Sequence, residues 1–506
     1  MQTSTLVLGY SGELSVKAKG TRNRFAERLV RNLNDALKSA GVPYELRRTW
    51  SRIYIDSPSE RALEVVRRVF GVHSVVVAER RPWRELDDVL RDGEAIFTPQ
   101  VAGKTFAVRV RRGGRGQHQP FKSPEVERRL GARLVAGAAG VDLKHPEVTA
   151  RVELRRDQAY YSSRSLVAEG GLPVGTEGRA LALISGGFDS GVAAWLLLRR
   201  GVMLDYLFCN LAGDAHRDAV LEVVKVLADS WSYGSRPRLH IVDFRPLVEE
   251  IQEHCPAPLW QVLLKRQMLR AADAVARISR STAIVTGEAV GQVSSQTLQN
   301  LAVISAATEI PILRPLVASH KEEIVDLARR IGTYDLSARV PEHCMLVPRN
   351  PETHAKPSRV ERAEEKLDPT KLEAQIQHLA VLDLRALALD KASAPELETE
   401  AIPLQATVLD LRSPLAFKSW HYPGALRIDY VEALEIYPSF ERDAEYVLYC
   451  EVGLKSAHLA SVMHEAGYRA RHVAGGLTGV LRLGQPQDPA LQALLAPAVR
   501  DSAGRD

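Results

Sequence analysis

The chain has 506 residues, of which 45% are hydrophobic and 25% are charged, and its formal net charge is +5. Because a single hydrophobic core rarely exceeds about 250–300 residues, this length predicts several globular domains. No apolar run approaches the roughly 20 residues of a membrane span, and the N-terminus has no secretion signal, so we expect a cytoplasmic protein with no membrane partner.

The first third of the chain alternates predicted strands and helices and is basic. Residues 1–178 carry 31 Lys and Arg against 21 Asp and Glu. This surplus indicates either a docking surface for a polyanion or a solvated arginine-rich face, and charge alone does not separate the two. Hydrophobic periodicity predicts helices at 21–40, 60–69 and 124–137 and strands at 6–10, 52–56, 72–78, 105–112, 149–155 and 158–163.

From residue 179 the pattern becomes repeated strand–helix pairs. Apolar strands are predicted at 180–185, 202–208, 238–244 and 282–287, and helices at 189–200 and 259–279. This alternation predicts a parallel, doubly wound sheet. Residues 350–400 are rich in Glu, Lys, Ala and Pro and predict a helical connector. A small α/β module follows, with segments at 407–412, 445–450 and 471–476 and a helix at 455–466.

The hexapeptide at 185–190, Ser-Gly-Gly-Phe-Asp-Ser, joins a predicted strand to a helix. Two glycines let the backbone approach an anion closely, and the N–H groups of the following helix can hold phosphate oxygens. A plain strand–helix turn also favours Gly and Ser, but the complete pattern in this position favours a phosphate site. No GxxxxGK[ST] sequence occurs, which excludes a Walker loop.

The hexapeptide resembles the pyrophosphate loop of N-type ATP pyrophosphatases, which cleave ATP to AMP and pyrophosphate. The resemblance implies ATP with Mg²⁺ as the substrate and no tightly bound cofactor. Asp189 would help to hold the Mg²⁺ that accompanies ATP. The pyrophosphate would be held by Ser185, Gly186, Gly187 and Ser190.

Cys450 follows the apolar stretch YVLY and opens a loop that continues to Ser456. Such a loop turns successive N–H groups inward as a nest for negative charge. The helix N-terminus and Lys455 favour the thiolate, and the same cradle, including Gly453 and Ser456, suits a persulfide. The alternative to a sulfur carrier is a buried cysteine with a structural role only. A phosphatase site is a weaker alternative, because a phosphatase loop would end in arginine. The four cysteines have no spacing suited to zinc, so we expect no bound metal.

Further segments resemble two known families. The segments at 264–268, 287–297 and 312–316, with the hexapeptide, are similar to the tRNA 4-thiouridine synthases (tRNA sulfurtransferases). The Cys450 loop, with Asp410-Leu411-Arg412 and the sequence HYPGA at 421–425, resembles rhodanese domains. The resemblance implies a multidomain α/β protein: a ferredoxin-like domain (1–58), a THUMP RNA-binding domain (59–168), a PP-loop ATP pyrophosphatase domain (178–345), a helical linker (346–400) and a rhodanese-like domain (404–490).

The same resemblance assigns roles to individual residues. Cys344, in the sequence Pro-Glu-His-Cys, would form a disulfide with Cys450 during turnover, whereas Cys209 and Cys255 look structural. The ATP contacts would include Leu183, Ile184, Lys265, Gly287 and Gln296. The phosphate contacts to tRNA would come from Arg109, Arg111, Arg112, Arg115 and Lys122.

The implied activity is ATP-dependent transfer of persulfide sulfur to uridine-8 of tRNA, through an adenylated uridine, to give 4-thiouridine. The implied partners are tRNA, a cysteine desulfurase and a sulfur-carrier protein of the thiamine thiazole pathway. Two alternatives remain. A small-molecule ATP pyrophosphatase, such as an amidating ligase, would not need the basic N-terminal third or Cys450. An RNA-binding sulfur-carrier scaffold would not need an intact phosphate loop.

Overall fold

The computed structural model describes residues 4–113, 121–211, 214–338, 340, 350–387, 397–399, 401–403, 405–412, 414–450, 454–473 and 476–483. Within these ranges the strands form three sheets, which carry helices on their faces. No helix in these ranges combines the length and the apolar character needed to span a bilayer.

One continuous sheet organises the N-terminal third. Its strands are β1 Ser4–Tyr10, β2 Glu45–Arg48, β3 Arg52–Ser57, β4 Val72–Pro82, β5 Thr105–Arg112, β6 Gly140–Val141, β7 Val148–Arg155, β8 Gln158–Ser162 and β9 Ser165–Val167. Their order is β2-β3-β1-β4-β8-β7-β5-β6, with β9 paired to β4. The long strand β4 pairs with β1 along its first part and with β8 at its end, so one strand joins two sheet units. The predicted boundary at residue 58 lies between β3 and α3, which share the core of the first unit.

Amphipathic helices cover this sheet: α1 Gly12–Ser15, α2 Lys19–Ser39, α3 Arg61–Arg67, α4 Leu86–Val101 and α5 Ser123–Leu134. The apolar stripe of α2 packs Leu29 and Leu33 on the first unit together with Ile53 of β3. In the second unit, Phe97 of α4 and Leu130 of α5 share a separate cluster. The two clusters give each unit its own core.

The middle of the chain forms a second, doubly wound sheet. Its strands are β10 Arg179–Leu183, β11 Met203–Asn210, β12 Arg238–Asp243, β13 Ile284–Val285, β14 Ile312–Leu313 and β15 Ala380–Asp383, in the order β14-β13-β10-β11-β12-β15. The first five are parallel, as predicted, and β15 is antiparallel to β12. The strand order reverses between β10 and β13, which is where open α/β sheets bind ligands at their carboxyl ends.

Helices cover both faces of this sheet: α6 Phe188–Arg199, α7 Asp214–Trp231, α8 Arg245–His254, α9 Trp260–Ser279, α10 Leu298–Ser305, α11 Lys321–Ile331, α12 Tyr334–Ser337, α13 Pro357–Glu364 and α14 Pro369–Gln377. One face buries Trp195 and Trp231, and the opposite face buries Phe244 and Leu263. Two separate apolar layers explain why the strands themselves are apolar throughout.

The predicted helical connector is partly helical and packs on the second sheet. Glu364 of α13 accepts from Arg266 at 2.6 Å and from Arg270 at 2.9 Å, and both arginines lie on α9. After α14 the chain adds β15 to the edge of the sheet. The described part of the connector up to residue 387 is therefore fastened to the second domain.

The third sheet belongs to the small C-terminal module. Its parallel strands are β16 Glu398–Thr399, β17 Thr407–Asp410, β18 Leu426–Arg427, β19 Glu445–Tyr449 and β20 Arg469–Val473, in the order β16-β20-β19-β17-β18. Its helices are α15 Pro414–Ser419, α16 Tyr430–Ile436, α17 Leu454–Glu465 and α18 Leu477–Leu483. Strand β19 lies in the middle of this sheet, so the residue that follows it is held at a fixed point.

Candidate active site

The phosphate loop joins β10 to α6 at the point where the strand order reverses. Gly186 has φ +81°, a conformation that side chains rarely adopt, so glycine is required there. Gly187 is the N-cap of α6, and no described side chain caps this helix end. The first N–H groups of α6 are therefore directed at the loop, where they can bind an anion.

Two serines brace the loop from inside. The Ser185 backbone N–H donates to Ser190 Oγ at 3.2 Å, and Ser190 Oγ donates to the Gly187 carbonyl oxygen at 3.2 Å. The two hydroxyl oxygens are 3.3 Å apart. Ser190 is buried, so its role in this structure is to hold the shape of the loop.

Gly287 brings the end of the neighbouring strand against the loop. A Cβ added at Gly287 would lie 2.7 Å from the Asp189 carbonyl carbon and 2.7 Å from the Ser190 backbone nitrogen. Backbone atoms cannot turn aside as a side chain can. Glycine is therefore needed here for close approach between two chain segments.

A cavity of about 250 Å³ opens at the carboxyl ends of β10 and β13. The predicted ATP residues that line it are Leu183, Ile184, Ser185, Asp189, Ser190, Lys265, Gly287 and Gln296. Gly186 and Gly187 form the turn beneath it without lining it. The structure thus gathers residues from distant parts of the chain around one cavity beside the phosphate loop.

A larger concavity of about 820 Å³ lies between α8, α9, α13 and α14. Both arginines that line it, Arg266 and Arg270, pair with Glu364 of α13. It has no glycine loop among its lining residues. We therefore assign it to the attachment of the connector.

Lys265 and Glu288 form an ion pair in the wall of the cavity. Lys265 Nζ donates to Glu288 Oε1 at 3.0 Å, and Arg314 Nε donates to Glu288 Oε2 at 2.8 Å. Burial favours the neutral carboxyl, but the charges of Lys265 and then Arg314 outweigh it and hold the pKa of Glu288 below its ordinary value. Glu288 therefore stays ionised and fixes two cations beside the cavity.

Replacing Glu288 with Gln should lower the free energy of unfolding by about 2 kcal/mol at pH 7, because two partly buried cations lose their shared partner. The pKa of Glu288 is depressed in the folded state, so its stabilising contribution is present above the unfolded value of about 4.3 and is lost as the pH falls below it. The difference between wild type and Glu288→Gln should therefore shrink below about pH 4. Urea unfolding followed by tryptophan fluorescence measures it.

The exposed Glu309 of the same domain provides the control. Glu309→Gln should change the unfolding free energy by less than about 0.5 kcal/mol at either pH. A Glu288→Gln variant as stable as wild type at pH 7 would contradict the assignment of the buried ion pair.

Asp189 has two partners in the loop region. Lys321 Nζ lies 2.8 Å from Asp189 Oδ1, and Gln292 Nε2 donates to Asp189 Oδ2 at 2.9 Å. The described residues contain no cluster of His, Cys, Asp and Glu that could hold a metal ion alone. A Mg²⁺ ion beside Asp189 would therefore take its remaining ligands from the nucleotide phosphates and from water.

Sequence reasoning did not identify three residues of this site. His216, at the start of α7, lines the cavity, and its Nε2 lies 3.4 Å from the Ser185 carbonyl oxygen. Lys321 pairs with Asp189, and Glu288 pairs with Lys265. Glu288 lies in the segment 287–297 named above, but no local sequence pattern distinguishes it as a site residue. His216 and Lys321 lie far from the loop along the chain.

Cys450 directly follows β19, and α17 begins at Leu454. The Ser456 hydroxyl donates to Cys450 Sγ at 3.6 Å. Cys450 is only 2% exposed. The predicted cradle residue Ser456 therefore contacts the thiol. Lys455, also predicted for the cradle, is the second residue of α17.

The Asp-Leu-Arg segment braces the residue before Cys450. Arg412 Nη2 donates to Asp410 Oδ2 at 2.6 Å, and the Tyr449 hydroxyl donates to the same oxygen at 2.6 Å. Burial, and then the hydrogen bond to Asp410, raise the pKa of Tyr449, so its hydroxyl remains a donor. The Tyr422 N–H donates to the Tyr449 hydroxyl oxygen at 3.0 Å. Both rhodanese-like segments therefore converge beside Cys450.

The other described cysteines are buried in the second domain. Cys209 lies near the end of β11 and lines the cavity. Cys255 Sγ donates to the Ala363 carbonyl oxygen at 3.4 Å. Burial raises the pKa of both thiols, which keeps them protonated and poorly nucleophilic. Cys344, Gly453 and Arg115 lie outside the described residues.

The basic N-terminal surface contains an unusual arginine pair. Arg109 of β5 lies directly opposite Arg151 of β7, and both are exposed. With Arg111 and Arg52 they line a cavity of about 320 Å³, where the four arginines outnumber the two carboxylates of Glu127 and Glu153. Burial, and then the Arg111 charge, lower the pKa of Arg52. Like charges facing each other across strands are unfavourable alone, so this surface favours an anionic partner.

The remaining predicted RNA residues lie elsewhere. Arg112 points to the other face of β5 by strand alternation, and its Nη1 donates to the Phe121 carbonyl oxygen at 3.0 Å. Lys122 is exposed beside it. Arg151 was not predicted, although it lies on the outward positions of the predicted strand 149–155.

Comparison with family models covers each part of the chain. The model described as "Thiamine biosynthesis protein (ThiI)" matches residues 175–368, and its ferredoxin-like domain matches 6–76. A THUMP domain matches 84–163, and a rhodanese-like domain matches 393–482. The predicted fold class is confirmed, whereas the exact domain limits stay predictions.

Curated relatives match over nearly the whole chain. A tRNA sulfurtransferase of Pyrobaculum aerophilum is 37% identical over 462 residues, covering 91% of this chain and 94% of the relative. A tRNA sulfurtransferase of Pseudomonas aeruginosa is 36% identical over 476 residues, covering 91% and 97%. Among solved structures, a 4-thiouridine synthetase–RNA complex with bound ATP is 29% identical, with a TM-score of 0.67, and covers 75% of this chain and 99% of that one.

Proposed function

The chain belongs to the tRNA sulfurtransferase family, and on that premise we propose that it uses ATP to transfer persulfide sulfur to uridine-8 of tRNA, forming 4-thiouridine. The observation that carries the proposal is the cavity where Ser185, Asp189, Lys265 and Gly287 meet at the carboxyl ends of β10 and β13. The same chain also carries Cys450 in a rhodanese-like module.

The first step activates the uridine. The uracil O4 attacks the α-phosphorus of ATP and pyrophosphate leaves, which turns a poor leaving oxygen into a good one. The N–H groups of α6, with Ser185 and Lys265, hold the phosphates, because charge-assisted contacts to phosphate are strong. Asp189 would help to hold the Mg²⁺ that accompanies ATP, which would supply positive charge to the phosphates. Lys321, held by Asp189, adds a cation for the leaving pyrophosphate.

The second step delivers sulfur. The terminal sulfur of the Cys450 persulfide attacks C4, the C4–O bond breaks and AMP departs. The Cys344 thiolate then attacks Cys450 Sγ and breaks the S–S bond, which leaves the transferred sulfur on the uracil. The resulting Cys344–Cys450 disulfide is reduced by a thiol reductant before the next cycle.

The proposal includes partners and a location. A cysteine desulfurase supplies the persulfide sulfur in the cytoplasm, and tRNA docks on the basic N-terminal surface. A second use of the Cys450 persulfide is donation to a thiazole-pathway sulfur-carrier protein, in line with the thiamine-biosynthesis description of the matched family.

The experiment that tests the function incubates the protein with ATP, unmodified tRNA and a persulfide donor. We expect 4-thiouridine at position 8 after digestion and nucleoside chromatography, with one AMP formed for each sulfur transferred. Reactions without ATP should give none. Pyrophosphate release that depends on an amino acid or another small acceptor, and not on tRNA, would contradict the proposal.

Removing one exposed arginine from the N-terminal surface should weaken tRNA binding without changing ATP chemistry. Arg111→Ala should raise the dissociation constant by roughly 5- to 10-fold and reduce the slope of log K against log salt by about 0.7–0.9, as expected for one lost phosphate contact. Filter binding over a range of salt concentrations measures both.

Arg277→Ala is the matched control, because Arg277 is an exposed arginine of the second domain paired with Asp273 four residues before it. Its salt slope should equal that of wild type. An unchanged slope for Arg111→Ala would remove Arg111 from the proposed tRNA surface.

A further inference from the structure

The first turn of α7 lies between the two chemical centres of the molecule. On one side of this turn, His216 lines the cavity beside the phosphate loop, 3.4 Å from the Ser185 carbonyl oxygen. The next two residues, Arg217 and Asp218, point in other directions because successive residues of a helix are rotated by about 100°. Both reach the C-terminal module.

Two ion pairs join the second domain to that module. Arg217 Nη2 donates to Asp429 Oδ2 at 2.9 Å, and the Lys455 ammonium pairs with Asp218. Arg217 Nε also donates to Asp218 Oδ1 at 3.2 Å. The order of charges is therefore Asp429, Arg217, Asp218 and Lys455, which alternates in sign across the interface.

The network is shielded from solvent. The side chains are 12% exposed for Arg217 and Lys455, 17% for Asp218 and 19% for Asp429. Charges at such a site are screened less than surface charges, so their geometry matters more. Alternating, shielded charges also disfavour other docked positions of the module, because a shifted interface would bring like charges together.

Both ends on the module side flank Cys450. Lys455 is the second residue of α17, the helix that starts just after the Cys450 loop. Asp429 precedes α16, whose first residue, Tyr430, packs in the same buried cluster as Cys450. Burial, and then the nearby Cys450, raise the pKa of Tyr430. The interface is therefore built around the sulfur-bearing residue on one side and the nucleotide cavity on the other.

We propose that Arg217 and Asp218 are positioning residues that dock the sulfur-carrying module at the ATP site for the transfer step. This inference rests on the proposed function and deepens it. In the proposed function ATP activation does not use Cys450, which does not line the cavity, and the loading of sulfur on Cys450 does not use ATP. The docking network is needed only when the persulfide must meet the activated uridine.

The test is a double-mutant cycle on Arg217→Gln and Asp429→Asn. Asn at 429 keeps the side-chain oxygen that accepts from the Glu432 N–H at 3.4 Å, so the start of α16 stays capped. Cys450 is loaded with labelled persulfide, and a single turnover of transfer to tRNA is followed with ATP. Pyrophosphate release and the rate of Cys450 loading are measured on the same proteins.

Each single variant should slow the transfer step about 10-fold, while pyrophosphate release and loading stay within 2-fold of wild type. The double variant should be no more than about 2-fold slower than the slower single variant, because both changes break the same Arg217–Asp429 ion pair. Arg217→Lys, which keeps the charge, should recover to within about 3-fold of wild type. Glu432→Gln removes one negative charge, as Asp429→Asn does, but at an exposed residue of α16, and it should leave the transfer rate unchanged.

Single variants with wild-type transfer rates would overturn the docking proposal, as would a double variant slowed about 100-fold. Equal loss of all three rates would indicate a general structural role and would also overturn it. Failure of the wild-type protein to form 4-thiouridine would instead overturn the proposed function, so the two failures are distinguishable.

Discussion

A Cys450→Ser variant should form 4-thiouridine at least about 1,000-fold more slowly than wild type with a persulfide donor. The hydroxyl cannot carry a sulfane sulfur, so covalent delivery is removed altogether rather than weakened. The first turnover of pyrophosphate release in the presence of tRNA and ATP should keep a rate within about 3-fold of wild type, because the cavity at β10 and β13 does not include Cys450. Nucleoside analysis and a coupled pyrophosphate assay measure the two steps separately.

Cys255→Ser is the matched control for this prediction. Cys255 is buried, and a serine hydroxyl can still donate to the Ala363 carbonyl oxygen. This variant should retain most of both activities. Sustained thiolation by Cys450→Ser would place the sulfur carrier elsewhere in the chain.

A Gly287→Ala variant should lose about 100-fold or more in ATP-dependent pyrophosphate release. The new methyl group would lie 2.7 Å from backbone atoms of both Asp189 and Ser190, so the phosphate loop must shift. A displacement of about 1 Å in a site that positions reacting groups costs on the order of 100-fold in rate. Steady-state pyrophosphate release with saturating tRNA measures the loss, and persulfide loading of Cys450 should be unchanged.

The control is Gly191→Ala on α6, where an added Cβ meets side chains at 3.8 Å or more. Because alanine favours helix over glycine by roughly 1 kcal/mol, this variant should be at least as stable as wild type and active. Equal activity of Gly287→Ala and Gly191→Ala would show that the two segments do not need their close approach.

The sequence allowed the prediction of features that local pattern controls. The phosphate loop, the cysteine after β19 and the strands that carry them follow from contiguous residues and regular periodicity. The family and the multidomain fold class were predicted on these segments and are confirmed by the relatives and family models. Individual roles of the site residues stay predictions.

Contacts between distant segments could not be predicted in this way. Lys321 meets Asp189 across 132 residues, and Arg217 meets Asp429 across 212. Lys265 was predicted to contact ATP and it does line the cavity, but its pairing with Glu288 was not predicted. Such pairings depend on how helices pack on the sheet, which hydrophobic periodicity does not specify.

The sequence pattern also did not predict that the N-terminal sheet is continuous or that the connector adds a strand to the second sheet. Strand β4 was predicted over 72–78, but it runs to Pro82 and there joins β8 of the second unit. The connector was predicted from composition, and composition does not reveal that β15 completes the edge of the second sheet. For β4 the strand was predicted without its second partner. For β15 the strand itself was not predicted, because residues 380–383 lie in the segment predicted to be a helical connector.

The most direct test of the central claim uses a single loading of Cys450. The protein is loaded with ³⁵S-persulfide, freed of donor and mixed with unmodified tRNA, with and without ATP. We expect the label to move from Cys450 to 4-thiouridine at position 8 only when ATP is present. Label that stays on the protein with ATP, or that reaches tRNA equally well without ATP, would contradict it.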